Sequence, residues 1–346
     1  MAEPKKKRTD RTIRTAGSRF LRLLTAFAAL VALFSCESIY DDQDDCPRGV
    51  SIRYRYDYNM LFADAFASHV DCVTCYVLDS EGNYLAEYSE TGAPLADESY
   101  RMSFPLEPGH YKLIAYGGLA CDKSSFDVTP FTPASRYTDL SVRLRTEEGL
   151  RSSASLHGLF YGTAEVDILS DDYQEITIPM MRDTNNIRIV LQEISGDPVD
   201  IDDFEITLTD DNSLLDWRNE PVSAGEVTYT PWYTGTAVAG ESADEDGTPG
   251  DEVRVGVAEL STSRLMASHR ARLRIHALGN LYDAVDIPLI DYLLMAKSEV
   301  YDKMPSQEFL DRQSEWSWIF FLANGRWVYA KIQILDWTVR VNNAEL

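Results

Sequence analysis

The sequence predicts an all-β protein made of two tandem antiparallel β-sandwich domains, with one or two short helices. Apolar and polar residues alternate with period 2 along most of the chain after residue 48, which is typical of half-buried strands. Turn residues separate these segments at short spacing, and helical periodicity is sparse. The chain has 346 residues, which suggests two domains rather than one.

The first predicted strand lies in GVSIRYRYDYN, residues 49–59. Alternation puts its apolar and charged side chains on opposite faces: Val50, Ile52, Tyr54 and Tyr56 against Arg53, Arg55 and Asp57. The segments HYKLIAYGG, EITIPMM, NNIRIVLQEI, FEITLTD and EVRVGV follow the same rule. In ARLRIHAL, the pattern turns four side chains toward the core and leaves His276 exposed: Ala271, Leu273, Ile275 and Ala277.

Local signals place turns, helices and a domain division. Asn324-Gly325, between apolar segments, predicts a hairpin with a type I′ turn. Between Asp291 and Gln313 the alternation is lost, which predicts one or two short helices split at Pro305 or an ordered loop. Residues 235–252 lack bulky apolar residues and predict a mobile surface loop. A fresh strand series begins near Arg182, which predicts domains over residues 49–181 and 182–346.

The amino terminus has the pattern of a bacterial lipoprotein signal, residues 1–35. Basic residues precede a short apolar run from Leu23 to Phe34, too short to span a bilayer. Leu33-Phe34-Ser35-Cys36 resembles a lipobox, which predicts cleavage between Ser35 and Cys36 and a covalent lipid on Cys36. A plain secretory signal with an incidental Cys36 is the alternative. With Cys36 lipidated, residues 36–48 would form a lipidated, acidic tether.

Four acidic residues follow the lipidation site: Asp41, Asp42, Asp44 and Asp45. They are either a solvated tether extended by charge repulsion or a sorting tag, because they resemble the surface-export signal of Bacteroidota lipoproteins. A calcium site is a third interpretation, which the missing EF-hand spacing disfavours.

The charge balance excludes one class of partner. Residues 1–35 carry eight basic and two acidic residues, so the remainder carries 24 Lys and Arg against 54 Asp and Glu, a net charge of about −30. This surface repels phosphate backbones, so no nucleic acid is expected as a partner.

Four cysteines remain after Cys36: Cys46, Cys72, Cys75 and Cys121. In an exported protein they permit disulfides, with three connectivities that the sequence leaves open. Cys72 and Cys75 form a C-x-x-C motif within a predicted strand, so they should point to opposite faces. We interpret them as structural cysteines rather than zinc ligands or a redox pair.

No motif indicates an enzyme, a cofactor or a metal site. The five histidines are scattered without metal-ligand spacing, and no G-x-S-x-G, P-loop or Rossmann glycine pattern occurs. Adjacent acids such as Asp210-Asp211 fall at predicted turns. No catalytic residue is therefore expected.

In the last apolar segment, the apolar residues change from even-numbered to odd-numbered positions. Val328, Ala330, Ile332 and Ile334 share one face, whereas Trp337, Val339 and Val341 fall on the other. A register switch near Leu335 predicts a bulge within the domain or a strand that leaves one sheet to pair elsewhere.

Several motifs resemble the FimB-like anchor family of type V fimbriae in Bacteroidales. They include Asp44-Asp45-Cys46-Pro47, Asp57-Tyr58-Asn59-Met60, Ala63-Asp64-Ala65-Phe66 and Leu310-Asp311-Arg312-Gln313, and the resemblance extends from Cys36 to about Val341. It implies two transthyretin-like β-sandwich domains in an outer-membrane lipoprotein that holds a fimbrium at its base. It also implies that fimbrillin, the shaft subunit, polymerises by strand donation after an arginine-directed protease removes its first strand. An anchor would keep its own first strand and so end growth.

From the parity switch we predict that the carboxyl-terminal region contacts the shaft through eight residues: Trp327, Tyr329, Ile332, Ile334, Leu335, Trp337, Val339 and Val341. Two alternatives stay open. The chain could be an accessory or tip subunit of the fimbrium, or a surface lipoprotein that binds glycans through exposed Trp217, Trp232 and Tyr233. The two tryptophans could instead fill sandwich cores.

Overall fold

The computed structural model describes residues 48–119, 121–169, 172–243, 249–297, 301–334 and 337–342. The predicted signal, residues 1–35, and nearly all of the predicted tether, residues 36–48, lie outside these ranges. Among the described residues, no helix has the length and apolar character needed to cross a membrane.

Strands are the main regular structure in the first half of the described chain. Its elements are β1 (Gly49–Arg55), α1 (Phe66–His69), β2 (Cys72–Leu78), β3 (Tyr84–Thr91), β4 (Met102–Pro105), β5 (Gly109–Gly117), β6 (Phe126–Val128), β7 (Ser141–Leu144), β8 (Arg151–Ser152), β9 (Phe160–Ile168) and β10 (Tyr173–Arg182).

The second half adds further strands and two helices. Its elements are β11 (Asn185–Glu193), β12 (Phe204–Asp210), β13 (Leu214–Asp216), β14 (Val227–Tyr229), β15 (Tyr233–Ala243), β16 (Pro249–Thr262), β17 (Arg272–Ala277), β18 (Asp283–Pro288), α2 (Leu289–Met295), α3 (Ser306–Arg312), β19 (Glu315–Ala323), β20 (Arg326–Ile334) and β21 (Trp337–Asn342). Short 3-10 segments occur at Ala93–Ala96, Tyr137–Asp139 and Ile201–Asp203.

The first sandwich is one seven-stranded sheet folded on itself, in the order β3-β2-β5-β9-β10-β1-β4. The fold is possible because β10 changes partners along its length: Tyr173–Pro179 pair with β1, and Met180–Arg182 pair with β9. One apolar core lies between β1, β4 and β10 on one side and β2, β5 and β9 on the other. The stacked rings of Tyr88 and Phe104, 3.9 Å apart, join β3 to β4 across this core.

The second sandwich packs a six-stranded sheet, β15-β16-β11-β19-β20-β21, on a five-stranded sheet, β18-β17-β12-β14-β8. Its core is rich in aromatic side chains from β19, with Trp316, Trp318 and Phe320 all buried. The pairing is mostly antiparallel, but the first strand of each sandwich pairs in parallel with a late one, β1 with β10 and β11 with β19. The predicted all-β sandwich fold is confirmed.

Two short strands cross the predicted domain division. Strand β8 pairs with β14 in the second sandwich, and β13 pairs with β7 in a three-stranded sheet, β13-β7-β6, beside the first. The predicted division near Arg182 falls at the end of β10. Neither of the two largest sheets contains strands from both sides of this division. The assignment of residues 49–181 and 182–346 to separate domains stays a prediction.

Most local predictions are confirmed. Val50, Ile52, Tyr54 and Tyr56 are buried on one face, and Ala271, Leu273, Ile275 and Ala277 on another. The two residues between β19 and β20, Asn324 and Gly325, both have positive φ, as a type I′ turn requires. Helices α2 and α3 lie on either side of Pro305, which precedes the first residue of α3.

The prediction of a mobile loop over residues 235–252 is wrong for the described part. Strand β15 and the start of β16 pair as a long antiparallel hairpin through this segment, with register shifts after Val238 and after Glu241. Small and polar residues suffice here because backbone hydrogen bonds hold an edge hairpin, with few side chains facing a core.

Candidate functional site

The first strand of the described residues, β1, lies inside a sheet rather than at its edge. All seven residues of β1 pair with β10, from Gly49 opposite Tyr173 to Arg55 opposite Pro179. On its other side, Gly49 to Ile52 pair with β4. The backbone of β1 is therefore paired along its whole length on the β10 side and over its first four residues on the β4 side.

Side chains of β1 fill a slot in the first core. Val50 and Ile52 are fully buried, and the Tyr54 hydroxyl donates to Met102 Sδ at 3.1 Å. The Tyr54 ring stacks on Phe66 of α1, with centroids 5.4 Å apart. At Gly49 a Cβ atom would lie 2.2 Å from the Phe104 carbonyl oxygen, so only glycine permits this approach to β4. Burying each large apolar side chain contributes about 1.5–3 kcal/mol, so losing β1 would expose a deep groove.

The carboxyl end of the chain is a hairpin, which corrects the predicted register switch near Leu335. The chain does not continue as one strand: β20 ends at Ile334, and β21 pairs back on it, with Ile334 opposite Trp337 and Tyr329 opposite Asn342. The apolar positions change from even to odd numbers because the chain reverses: residues directly opposite each other in an antiparallel pair lie on the same face of the sheet. Leu335 itself lies outside the described residues. A β-bulge does occur, but at Val328, where Phe321 pairs with Tyr329 and Leu322 with Trp327.

The predicted shaft-contact residues divide into three groups. Trp327 and Ile332 are buried in the second core, and their role as contact residues stays a prediction. Tyr329 lies on the outer face of the sheet. The side chains of Ile334, Trp337, Val339 and Val341 lie outside the described part. Strand β21 is at the end of the six-stranded sheet and pairs, among the described strands, with β20.

Rings and cations alternate on the outer face of this edge. Tyr329 stacks on Phe321 with centroids 4.4 Å apart, and the Arg340 guanidinium carbon lies 4.0 Å from the centre of the Tyr329 ring. Lys331 Nζ lies 5.2 Å from the centre of the Phe321 ring. These four residues form a positively charged, aromatic strip on a chain that is otherwise strongly acidic.

Arg312 joins the two sandwiches. Its guanidinium carbon lies 4.0 Å from the centre of the Tyr58 ring and 4.6 Å from that of Phe62, both in the loop after β1. Glu308 accepts a hydrogen bond from Arg312 Nε at 2.7 Å, which fixes the guanidinium on α3. A cavity of about 320 Å³ beside this contact is lined by residues of both halves, Met60 and Gln313 among them. The sequence contains both motifs but does not reveal the contact, because only the fold brings residues 58 and 312 together.

Buried charges lie close to this joint. Arg264 donates from Nε and Nη2 to the two carboxylate oxygens of Asp311, both at 2.9 Å, and both side chains are buried. Asp183, also buried, accepts a hydrogen bond of 2.6 Å from Asn219, while its Oδ2 has no partner. Burial raises the pKa of Asp183 to about 7, although nearby Arg264 opposes this rise.

One disulfide is present in the described chain, between Cys72 and Cys121. The thiol of Cys75 is free and lies in the first core, where burial raises its pKa to about 12. Cys72 and Cys75 therefore point to opposite faces of β2, as predicted. Cys46 lies outside the described residues.

The three aromatic residues predicted to bind glycans have different environments. Trp217 is packed between Tyr137 and Lys112, with the two ring centroids 4.5 Å apart and the ammonium 4.8 Å from the indole centre. Trp232 and Tyr233 are 40% and 47% exposed. Trp232 lines an open groove of about 460 Å³ over the six-stranded sheet, whose polar lining includes Asn186, Arg188, Glu259, Glu315 and Gln333.

The residues predicted for lipidation, cleavage and export lie outside the described part of the chain: Ser35, Cys36, Asp41, Asp42, Asp44 and Asp45. Their roles stay predictions.

The chain matches a protein-family model. The family model described as fimbrillin-A associated anchor proteins Mfa1 and Mfa2 matches residues 43–343. A comparison with curated proteins gave no match.

Several solved structures are similar to the chain. A candidate adhesin from Bacteroides thetaiotaomicron is 48% identical with a TM-score of 0.79, over 87% of this chain and 100% of that one. A candidate polysaccharide-binding protein from the same species is 31% identical with a TM-score of 0.73, over 85% of this chain and 98% of that one. The fimbrial anchor protein Mfa2 from Porphyromonas gingivalis, 16% identical with a TM-score of 0.63, covers 86% of this chain and is itself covered completely, and at that identity it shows the shared fold.

Proposed function

The chain belongs to the family of fimbrillin-A associated anchor proteins, and from this premise we propose that it holds a fimbrium on the cell surface and ends its polymerisation. A role as a fimbrial anchor or adhesin follows from the family. The finer proposal is that this chain is the base subunit and that it works through strand pairing rather than chemistry.

The position of β1 is the observation that carries the proposal. A subunit that accepts a neighbour's strand must have an open groove with unpaired backbone groups. Here β1 fills the corresponding place between β10 and β4: all of it pairs with β10, Gly49 to Ile52 also pair with β4, and Val50 and Ile52 are fully buried. The first sandwich therefore has no vacancy between these strands for a donated strand, and growth would stop at this subunit.

The shaft contact is proposed at the carboxyl-terminal hairpin. Strand β21 ends the six-stranded sheet, and an end strand is a template for a further strand. The strip of Phe321, Tyr329, Lys331 and Arg340 lies on the outer face of the same edge and adds charged and aromatic contacts. The proposed partner is the shaft subunit, fimbrillin.

A truncation tests this contact. Cells producing a chain that ends at Ile334 lack β21, and we expect their fimbriae in the culture medium rather than on the cells. The control chain ends at Asn342 and keeps β21, so its fimbriae should stay cell-bound. Immunoblots of membrane fractions verify that both chains are present. Cell-bound fimbriae at the normal level with the shorter chain present would overturn the proposed contact.

The membrane end is proposed from the sequence. Cleavage between Ser35 and Cys36 would leave Cys36 lipidated in the outer membrane, and the acidic residues Asp41, Asp42, Asp44 and Asp45 would direct the chain to the outer surface. This arrangement puts a tether of about a dozen residues between the lipid and Gly49, the first residue of β1. An accessory or tip role would also fit this anchor, so location on the fimbrium must be measured directly, by immunogold labelling.

Glycan binding is a second candidate function, favoured by the groove beside Trp232. An exposed indole next to amide, guanidinium and carboxylate groups suits stacking on a sugar ring and hydrogen bonding to its hydroxyls. The 31% identical relative described as a candidate polysaccharide-binding protein supports the same function. Recovery of polysaccharide with the purified chain, in the absence of fimbrial subunits, would favour this candidate over the anchor.

A further inference from the structure

Four side chains that can bind a metal meet at one corner of the first sandwich. They are Asp71 and Cys72 at the start of β2, Cys121 in the loop after β5, and His157 before β9. His157 Nε2 lies 2.9 Å from Asp71 Oδ1 and 3.7 Å from Cys121 Sγ, and Cys121 Sγ lies 3.4 Å from Asp71 Oδ1. Cys72 and Cys121 form the disulfide.

One glycine allows this approach. Gly118 has φ +79°, and a Cβ atom there would lie 1.8 Å from the carbonyl oxygen of Gly158, so no other residue fits. The Gly118 amide donates to the Cys72 carbonyl at 2.9 Å, and the His157 amide donates to Ser125 Oγ at 2.8 Å. These hydrogen bonds hold the loop after β5 and the segment before β9 together, which fixes His157 beside the disulfide.

The distances are close to those between ligands of a tetrahedral zinc ion. Zinc binds sulfur at about 2.3 Å and nitrogen or oxygen at about 2.0–2.2 Å, so its ligands lie about 3.3–3.8 Å from one another. The three measured separations, 2.9, 3.4 and 3.7 Å, differ from that range by less than about half an ångström. Two thiolates, one imidazole and one carboxylate would complete four-fold coordination.

The corner is also accessible. Asp71, Cys121 and His157 are each half-buried, so an ion can reach them from solvent, whereas Cys72 is fully buried. The second carboxylate oxygen of Asp71, Oδ2, lies 3.7 Å from Lys123 Nζ. Because Oδ2 faces this cation, Oδ1 faces His157 and Cys121. Such outer partners orient a ligand in zinc sites.

We propose that the reduced form of this corner binds one Zn²⁺ through Asp71, Cys72, Cys121 and His157. Two molecules of a thiol reduce the disulfide, giving the two cysteine thiols and the oxidised reductant as its own disulfide. Zinc then displaces one proton from each cysteine. The disulfide and the zinc ion therefore exclude each other, because both use the sulfur atoms of Cys72 and Cys121. A covalent bond joins these cysteines in the oxidised chain, and the metal joins them in the reduced chain.

Cobalt serves as the first probe, because a tetrahedral Co²⁺ site with thiolate ligands has a characteristic visible spectrum. The full mature chain in detergent is reduced with a phosphine, which is then removed, and Co²⁺ is added. We expect the spectrum to saturate at about one equivalent and to disappear when Zn²⁺ replaces cobalt. The oxidised chain should give no spectrum.

Variants distinguish this site from others. Cys121→Ser should abolish the cobalt spectrum, and His157→Ala and Asp71→Asn should each weaken zinc binding at least about 100-fold, since losing even an outer partner costs about 10–100-fold. Cys75→Ala is the matched control, because Cys75 lies on the same strand but in the core on the opposite face. Cys46→Ser is the second control. Both should bind as the unchanged chain does.

A second measurement, unfolding by urea, applies if the chain loses its structure when the disulfide is reduced. If the reduced chain unfolds without metal, Zn²⁺ should raise its urea midpoint, and it should not do so for His157→Ala. A reduced chain that gives neither the spectrum nor this rise would overturn the proposal. So would binding that depends on Cys46 or Cys75, or binding that is unchanged in His157→Ala and Asp71→Asn.

Discussion

The buried carboxyl group of Asp183, which lies close to the contact between the two sandwiches, makes the stability of the folded chain depend on pH. Its pKa is raised from 3.8 to about 7 because burial penalises the charged form, and its Oδ2 has no hydrogen-bond partner. The folded chain therefore holds this proton more tightly than the unfolded chain. The contribution of Asp183 to the free energy of unfolding is greatest below pH 3.8, falls as the pH rises to about 7, and is constant above that.

We expect Asp183→Asn to remove this decline. The amide is neutral at every pH and keeps the shape of the carboxyl group, so the variant should gain stability over the unchanged chain as the pH rises from about 4 to about 7. The gain at neutral pH is at most about 4 kcal/mol. Urea unfolding at a series of pH values measures it.

The matched control is Asp202→Asn, which removes the same charge from an exposed residue. It should shift the unfolding curves by no more than about 0.5 kcal/mol. If Asp183→Asn and the unchanged chain have parallel stability profiles, Asp183 is not the group that titrates.

At the scale of elements, β1 decides whether the first sandwich is open or closed. Arg53 and Arg55 lie within it, and an arginine-specific protease requires its substrate in an unpaired, extended form. Both residues pair with β10, and their side chains reach Asp64 and Asp57 at 3.2 and 2.7 Å. Cleavage after either residue therefore requires β1 to leave the sheet.

We expect the folded chain to resist such a protease after Arg53 and Arg55. Arg48 precedes β1, so cleavage there would remove the tether and leave the strand in place. Mass spectrometry of the amino-terminal fragment identifies the bonds that are cut.

Ile52→Ala provides the comparison. Shortening this fully buried side chain costs about 2–5 kcal/mol, which favours opening of β1 and should speed cleavage after Arg53 and Arg55. Equal rates in the two chains, or rapid cleavage of the unchanged chain after Arg55, would mean that β1 is not held as the closed sandwich requires.

At the scale of the whole molecule, the two sandwiches are joined by exchanged strands, by one cluster of buried apolar side chains from both halves, and by Arg312. Strands β8 and β13 each pair with a sheet on the far side of Arg182, and Arg312 stacks on Tyr58 and Phe62. Force on a fimbrium bound at the carboxyl-terminal hairpin would pass through this joint before it reached β1 and the tether. The proposed anchor thus depends on both ends of the chain.

The lipid on Cys36 belongs to this scale as well. We expect Cys36→Ser to move the protein from the detergent-rich to the aqueous phase on detergent phase partitioning, because each lost acyl methylene removes about 0.8 kcal/mol of membrane affinity. Cys46→Ser keeps the lipid and should stay in the detergent phase. A Cys36→Ser chain that is still held in membranes would disprove lipid anchoring through this residue.

Local patterns predicted what depends on near neighbours. The burial of Val50 and Ile52 followed from alternation, the turn at Asn324 and Gly325 followed from their tolerance of positive φ, and the break between α2 and α3 followed from Pro305. The segment 235–252 was predicted wrongly because an edge hairpin is held by backbone hydrogen bonds, which composition does not report.

The amino-acid sequence by itself determined that this protein is built of strands, which side chains face a core, and which family it resembles, because these properties depend on period and motif. Tertiary structure alone decided that β1 is an interior strand, that the last segment reverses at Ile334, and that Arg312 meets Tyr58. It also decided that Cys72 pairs with Cys121 beside Asp71 and His157. Those contacts join residues that are far apart in the chain, and only the packing of whole sheets brings them together.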